Sequence, residues 1–245
     1  MSLDVLANSV ENMRARTEIR RRNLDFVTPW FARILHKMRV TDGVSVGDFR
    51  KSWDVLRTIQ FLEQHVSKTT PVLDVGAYAS ELLCSLHKLG FSDLTGIDLN
   101  PNLTSMPYRE KVKYVIGDFT DTGFPDGTFG AITAISVIEH GFCGPKLFRE
   151  AARLLRKGGY LVGSTDYWPR KIHTQDITPF ALDWTIFSRE EVAKLIREAR
   201  VHGLVPVGKL NFEASEAVVR WSRRNYTFAW FAFQKAEVHV APVHE

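Results

Sequence analysis

A strand, a tight turn and a helix follow one another just after residue 70, and this unit most constrains how the chain can fold. The apolar run 72–75 ends at Gly76, and leucines at helical spacing begin at Leu82. A second short strand ends in Asp98, 22 residues after Gly76. A glycine turn followed about 20 residues later by an acid is typical of a nucleoside-cofactor site in an open α/β sheet. The sequence therefore predicts a bound nucleoside here, with its ribose hydroxyls on Asp98.

Strands and helices alternate from residue 71 onward. We predict strands at 72–75, 94–98, 113–118, 131–138, 160–164, 204–210 and 226–233. The long helices include one from Pro145 to Gly158, one capped by Ser188, and one over 213–224. Five strands alternating with helices imply parallel pairing, and the last two lack an ordinary crossover. The predicted fold is α/β, a doubly wound, mostly parallel seven-stranded sheet with an antiparallel edge strand, plus an N-terminal helical extension.

The first 70 residues predict three helices, over 1–22, 28–38 and 48–66. No linker separates them from the first strand, so we expect them to pack on the same domain. The predicted organisation is a helical extension over 1–70 on the lid or substrate side, an α/β domain over 71–235, and a frayed tail over 236–245.

The net charge of +4 is concentrated in the N-terminal segment. Residues 1–70 hold 12 Lys/Arg and 8 Asp/Glu, whereas the remainder holds 20 of each. The basic residues are densest between Arg14 and Arg22. A solvated helix face is the commoner meaning of such a cluster, and a phosphate-bearing substrate, nucleic acid or a protein partner is the alternative.

Composition predicts the cellular setting. No apolar run approaches the roughly 18 residues needed to span a bilayer, and the first residues lack a signal-peptide pattern. The two cysteines, Cys84 and Cys143, have no metal-ligand spacing. We therefore expect a cytoplasmic protein with no membrane partner, no disulfide framework and no metal site.

Five segments in order carry a family resemblance. The chain resembles the S-adenosylmethionine-dependent methyltransferases of the seven-stranded Rossmann-like (class I) type, in particular those acting on small molecules, over about residues 70–235. The segments are VLDVG at 72–76, LTGID at 94–98, GDF at 117–119 with FPDGTFG at 124–130, SVIEH at 136–140, and LLRKGGYLV at 154–162.

The resemblance implies S-adenosylmethionine as the cofactor and S-adenosylhomocysteine as its product. Asp74 would act on the methionine amino group directly or through water, Asp98 would hold the ribose, and Asp118 would accept from the adenine amino group. The complete set of cofactor-binding residues that it implies is Asp74, Gly76, Ala77, Tyr78, Asp98, Leu99, Asp118, Phe119 and Ser136.

The first motif departs from the family pattern. The family usually has Asp-x-Gly-x-Gly-x-Gly, whereas this chain has Tyr78 and Ser80 at the last two glycine positions. We expect Tyr78 either to crowd the carboxylate end of the cofactor or to require a positive φ angle. Ser80 is a milder change, because it can cap the following helix.

Methyl transfer is an in-line displacement, so the protein mainly aligns the two reactants and supplies a base. His140, at the end of the fourth α/β strand, is the first candidate base, and Asp166 is the second. The alternative for His140 is a purely structural hydrogen bond. Adjacent residues on a strand point opposite ways, so one of Glu139 and His140 is expected to be structural. The candidate substrate contacts are Glu139, Tyr167, Trp168, His173 and Trp184.

The predicted reaction is methyl transfer to a hydroxyl or amine of a small molecule, such as a sugar or a specialised metabolite. The sequence lacks the Asn/Asp-Pro-Pro-Tyr/Phe cluster of adenine-amino methyltransferases, so nucleic acid is not the expected partner. Two alternatives remain open. One is a non-catalytic relative that binds or regulates, and the other is a nucleic-acid or protein methyltransferase that uses the basic helices. A homodimer is also left open.

Overall fold

The computed structural model describes residues 2–38, 40, 43–141 and 144–236. These residues are built around a mixed nine-stranded sheet. The strand order along the main path is β1-β9-β6-β5-β2-β3-β4, and β7 and β8 also pair with β9. The strands are β1 (Leu3–Val5), β2 (Val72–Val75), β3 (Leu94–Asp98), β4 (Val112–Ile116), β5 (Phe129–Ile135), β6 (Leu155–Tyr167), β7 (Leu204–Pro206), β8 (Val219–Trp221) and β9 (Arg224–Lys235).

Strands β2 to β6 pair in parallel, and β9 pairs antiparallel to β6. The apolar side chains of β2 and β9 alternate between two separate core clusters, one on each face of the sheet. Both faces are therefore apolar, and helices cover each of them. The predicted α/β class is therefore confirmed. The helices are α1 (Ser9–Arg21), α2 (Trp30–Lys37), α3 (Ser52–His65), α4 (Leu82–Lys88), α5 (Gly144–Leu154) and α6 (Arg189–Val201).

Two segments predicted to be helical are strands, which raises the strand number from seven to nine. Residues 3–5 pair antiparallel with β9, and all three side chains are buried. The predicted helix over 213–224 is wrong, because β8 forms a hairpin with β9 through Ser222 and Arg223, both at positive φ. In both places, pairing with a distant or adjacent strand outweighs weak helical periodicity.

Several boundaries differ from the prediction. Helix α5 ends at Leu154, and β6 begins at the next residue. Gly158, which was predicted to end the helix, therefore lies within β6, where it has a positive φ and the pairing with β5 shifts in register. Strand β5 ends at Ile135, three residues before the predicted end. The predicted tail lies outside the described residues apart from Ala236, whose amide bonds to the Gly203 carbonyl. Cys143 also lies outside them.

Helix α2 exposes its apolar face. Trp30 is 74% exposed and Met38 is 67% exposed, with Phe31, Ile34 and Leu35 also open to solvent. The predicted apolar face therefore exists but has no covering element in the described chain. Among the described helices, none combines the length and the hydropathy needed to cross a membrane.

Candidate active site

The glycine turn after β2 is tied to the end of β3. The amide of Gly76 donates to the Ile97 carbonyl (2.9 Å), and the amide of Tyr78 donates to Asp98 Oδ2 (3.0 Å). Gly76 has φ +72°, and a Cβ there would lie 2.4 Å from Val137 Cγ2. This position therefore requires glycine both for its backbone conformation and for the space beside β5.

The two missing glycines produce no strain at their own positions. The positive φ in this turn falls on Ala79 (61°) rather than on Tyr78 or Ser80, so the expectation of a strained backbone at those two residues is wrong. Tyr78 is half-buried and packs against the apolar cluster between the N-terminal helices and one face of the sheet, which we call the N-terminal core cluster. Ser80 Oγ accepts from the Leu82 amide (3.2 Å) at the start of α4, as its sequence position suggested.

Asp74 is a buried carboxylate with a spare acceptor. Its Oδ1 accepts from Thr133 Oγ1 (2.6 Å), whereas its Oδ2 has no hydrogen-bond partner in the described chain. Burial raises the pKa of Asp74 to about 7, while the hydroxyl groups of Thr133 and Ser80 oppose that rise. An ammonium group reaching Oδ2 would satisfy this oxygen and stabilise its charged form.

Asp98 and Asp118 end neighbouring strands, as the sequence predicted. Asp98 is half-buried, and its Oδ1 accepts from the Asn100 amide (2.8 Å). Asp118 is exposed and its Oδ1 holds the amide and hydroxyl of Thr120 (2.7 and 2.9 Å), while Phe119 beside it is buried. Leu99 is 63% exposed at the edge of this region, so an apolar surface is available to a planar ring.

A second group of side chains lies at the carboxyl ends of β5 and β6. We call Asp54, Glu139 and Asp166 the acidic cluster; all three are nearly inaccessible to solvent. Lys51 joins it to the cofactor side: Nζ hydrogen-bonds to Ser136 Oγ and lies 3.7 Å from Asp166 Oδ1. Ser136 itself has a positive φ, and its amide donates to the Ser164 carbonyl (3.0 Å).

The prediction missed Lys51 and Asp54. Both lie around the first turn of α3, where periodicity indicated only an amphipathic helix. Asp54 is fully buried and accepts from Ser164 Oγ (2.6 Å). A charged residue on the otherwise apolar side of a helix was the one available signal, because buried aspartates are rare unless they are bonded or functional.

Glu139 and His140 both interact electrostatically with Asp166 and Lys51. The expected alternation of their side chains does not apply, because β5 ends at Ile135 and a turn follows. Burial raises the pKa of Glu139 to about 8, and the nearby Asp166 adds to that rise. Burial lowers the pKa of His140, so its neutral form, which can accept a proton, prevails near neutral pH.

Trp184 and Asp166 lie together at the cluster. Trp184 Nε1 donates to Asp166 Oδ2 (2.8 Å), and its ring meets Trp221 and Tyr226 edge-on. The pKa of Tyr226 is raised by burial and by the charges of Asp166 and Glu139. The long connection after β6 therefore packs against the acidic cluster through Trp184.

The other predicted substrate residues lie elsewhere. Tyr167 is fully buried in the core, and its hydroxyl donates to the Phe212 carbonyl (2.6 Å). Trp168 packs against the N-terminal core cluster. His173 is exposed, and its carbonyl accepts from Arg224 Nε (2.8 Å). Of the five residues, Glu139 and Trp184 are at the cluster.

The N-terminal arginines are engaged within the chain. Arg16 is buried, with bonds to Glu81 (2.5 and 2.9 Å) and Asp25 (2.9 Å). Further ion pairs join Arg20 to Asp25, Arg21 to Glu18 and Arg22 to Glu63. This internal neutralisation leaves less positive charge for an external polyanion than the sequence suggested.

A family model and curated relatives similar to this chain describe methyltransferases. Residues 73–163 match the family model described as "Methyltransferase domain". The chain is 29% identical over 138 residues to ubiquinone biosynthesis O-methyltransferase from Xanthomonas oryzae pv. oryzae, an alignment that covers 54% of each protein. This chain thus spans about half the length of that curated relative.

Solved structures share the fold. A geranyl diphosphate methyltransferase in complex with S-adenosylmethionine superposes with a TM-score of 0.58 at 20% identity, covering 74% of this chain and 85% of that one. The geranyl diphosphate C-methyltransferase from Streptomyces coelicolor A3(2), bound to S-adenosylhomocysteine, gives 0.58 at 18% identity, covering 78% and 87%. The match over residues 73–163 agrees with the class I S-adenosylmethionine-dependent methyltransferase family that the motifs predict. The enzyme class and cofactor predicted from the motifs agree with these comparisons.

The residues of the methyltransferase domain suit this cofactor. The spare Oδ2 of Asp74 suits the methionine ammonium, and Gly76 keeps the turn free of a side chain. Asp98 retains further lone pairs for ribose hydroxyls after accepting two backbone amides. The individual roles predicted for these residues stay predictions.

We predict that the ligand-free methyltransferase domain loses stability as pH rises from about 6.5 to about 8. Asp74 and Glu139 keep protons in the folded state that they lose on unfolding, and a raised pKa of this kind contributes stability that disappears as pH rises. The two histidines with lowered pKa values oppose this loss only at the acidic end of the window, where unfolding lets them take up protons. One retained proton corresponds to about 1.4 kcal/mol per pH unit, so we expect a loss of about 2 kcal/mol.

Urea unfolding at the two pH values measures this loss. Asp74→Asn should reduce it, whereas Asp93→Asn, at an exposed aspartate, should leave it unchanged. A stability that rises across the window would contradict the prediction.

Proposed function

We propose that this protein transfers the methyl group of S-adenosylmethionine to a hydroxyl or amine of a small-molecule acceptor that binds at the acidic cluster. The observation that carries the proposal is the contact of Lys51 with Ser136, because it joins the cofactor residues of the methyltransferase domain to a buried group of titratable side chains. Perturbed, buried acids and bases beside a cofactor site are typical of catalytic centres.

The cofactor supplies an activated methyl group, and the chain's own residues have three tasks. Asp74 binds the methionine end of the cofactor, and Asp98 binds its ribose. Lys51 and Trp184 hold Asp166 in place at the acceptor side. His140 accepts the proton that a hydroxyl or amine loses, since burial favours its neutral imidazole.

The acceptor region is walled by aromatic residues from β9 and the connection after β6. Phe228 presents its ring face to Lys51 Nζ at 3.8 Å from the ring centre, and Trp184 contacts Tyr226. These walls exclude water from the reacting atoms and suit a small molecule rather than a chain of nucleotides. Helix α2, with its open apolar face, is the proposed lid over this side.

Labelled methyl transfer tests the proposal. The purified protein, incubated with methyl-labelled S-adenosylmethionine and a panel of small hydroxyl and amine compounds, is expected to label at least one of them. His140→Ala should lower the rate by about 100-fold, the usual contribution of a general base, with little change in binding of S-adenosylhomocysteine. Calorimetry that detects no binding of either form of the cofactor would contradict the proposal.

Tyr78→Gly separates this function from the non-catalytic alternative. A site that is already open should bind S-adenosylhomocysteine with similar affinity in both proteins, because Tyr78 packs on the N-terminal core cluster. If the natural protein does not bind and Tyr78→Gly does, the natural site is closed and the non-catalytic function is supported.

A further inference from the structure

Each carboxyl group of the acidic cluster has one oxygen without a hydrogen-bond partner in the described chain. These oxygens are Asp54 Oδ1, Glu139 Oε2 and Asp166 Oδ1. Two of the opposite oxygens are held firmly, by Ser164 Oγ on Asp54 and by Trp184 Nε1 on Asp166. Because buried carboxylates almost always accept hydrogen bonds, this arrangement favours a ligand that brings several donors.

The net charge of the acidic cluster favours a positively charged ligand. Near neutral pH the Glu139 carboxyl keeps its proton, so the carboxylates of Asp54 and Asp166 face one ammonium, that of Lys51. Arg50 nearby is already paired with Asp48 (2.8 Å), and burial keeps His140 in its neutral form. A buried group of carboxylates with an incomplete set of cations attracts a further cation and disfavours an anion.

Lys51 shows how the cluster holds an ammonium. Its Nζ bonds to the Ser136 hydroxyl, lies 3.7 Å from the Asp166 carboxylate and sits 3.8 Å from the centre of the Phe228 ring. Carboxylate, hydroxyl and aromatic face together make up a typical environment for an ammonium ion. The open oxygens of Asp54 and Glu139 extend that environment on the acceptor side.

We propose that the acidic cluster binds the ammonium group of the acceptor, so that the methyl acceptor is a small amine. This inference rests on the proposed methyl transfer and narrows its acceptor class. An ammonium offers up to three hydrogen-bond donors and a positive charge, whereas an alcohol offers one donor and no charge. The open oxygens of Asp54 and Glu139 match two of these donors, whereas Asp166 Oδ1 already faces Lys51 Nζ.

The reaction balances with these residues. The bound ammonium gives one proton to the imidazole of His140, and the freed electron pair on nitrogen forms the bond to the methyl carbon. The carbon–sulfur bond breaks with its electron pair remaining on sulfur, which becomes a neutral thioether. The acceptor leaves as the methylated ammonium ion, and the proton on the imidazole passes to solvent.

The test compares amines with alcohols of the same shape. The protein saturated with S-adenosylhomocysteine is titrated by calorimetry at pH 7.5 with ethanolamine and ethylene glycol, butylamine and butanol, and benzylamine and benzyl alcohol. We expect at least one amine to bind about tenfold or more tightly than its alcohol. Asp54→Asn and Glu139→Gln should each weaken amine binding about tenfold while alcohol binding changes less than threefold.

Asp93→Asn is the matched control, since it removes an exposed carboxylate of the same chain and should leave amine binding unchanged. Both test variants keep the shape of the side chain, and their binding of S-adenosylhomocysteine shows whether they are folded. Alcohols that bind as tightly as their amines overturn the inference, and so does the absence of amine binding in a protein that still binds S-adenosylhomocysteine. The proposed methyl transfer would survive either result.

Discussion

Arg16→Ala is expected to lower the free energy of unfolding by about 3–5 kcal/mol, because it leaves buried carboxylates without their cation. Arg16 is 1% exposed and bonds to Glu81, Asp25 and the Ser52 hydroxyl. Glu81 is equally buried and directly precedes α4, the helix that follows the glycine turn. The Arg16–Glu81 ion pair therefore connects the N-terminal helices to the start of α4, on the cofactor side of the sheet.

Thermal and urea unfolding measure this effect. A loss of this size corresponds to a fall of about 10 °C in Tm for a chain of this length. Arg21→Ala is the control: Arg21 is exposed and pairs with Glu18 on the same helix, so its removal should destabilise the protein far less than the removal of Arg16. Equal effects of the two variants would contradict the assignment.

Asp98→Ala is expected to weaken binding of S-adenosylhomocysteine by about 100-fold, since two charge-assisted hydrogen bonds of about 1.5 kcal/mol each would be lost. Asp98 has two connections to the site: its Oδ2 accepts from the Tyr78 amide, and its Oδ1 accepts from the Asn100 amide. Its loss would remove the predicted ribose contact and also release the glycine turn.

Calorimetry with S-adenosylhomocysteine measures the loss, and unfolding curves show that the variant is folded. Asp98→Asn separates the two contributions, because its amide oxygen can still accept from Tyr78 without the negative charge. Asp93→Ala, at an exposed aspartate just before β3, is the control and should not change the affinity. Affinity within threefold of the natural protein for Asp98→Ala would contradict the predicted role.

The sequence correctly placed Gly76, Asp98 and Asp118 at neighbouring strand ends, because that arrangement is built from local patterns. Apolar runs ending in Gly76, Asp98 and Asp118 place these residues at the carboxyl ends of adjacent parallel strands, and such ends always meet at one edge of a sheet. The same local logic predicted α6, where Ser188 and Glu191 form a complete capping box.

The acidic cluster could not be predicted from local patterns. Lys51 meets Ser136 across 85 residues of sequence, and Asp54 meets Ser164 across 110. The face that α3 turns toward the strand ends depends on the packing of α1 and β9, which periodicity does not describe. For the same reason Tyr167 was predicted to contact substrate, although its hydroxyl points to the Phe212 carbonyl in the core.

The sequence by itself determined the alternation of strands and helices, the glycine turn and the order of acids that identify the cofactor class. Tertiary structure alone decided that residues 3–5 are a strand, that the left-handed backbone falls on Ala79 rather than Tyr78, and that three carboxyl groups share one buried cluster. The physical reason is the range of the interactions. Turns and strand ends depend on neighbouring residues, whereas edge pairing and buried charge depend on which distant segments pack together.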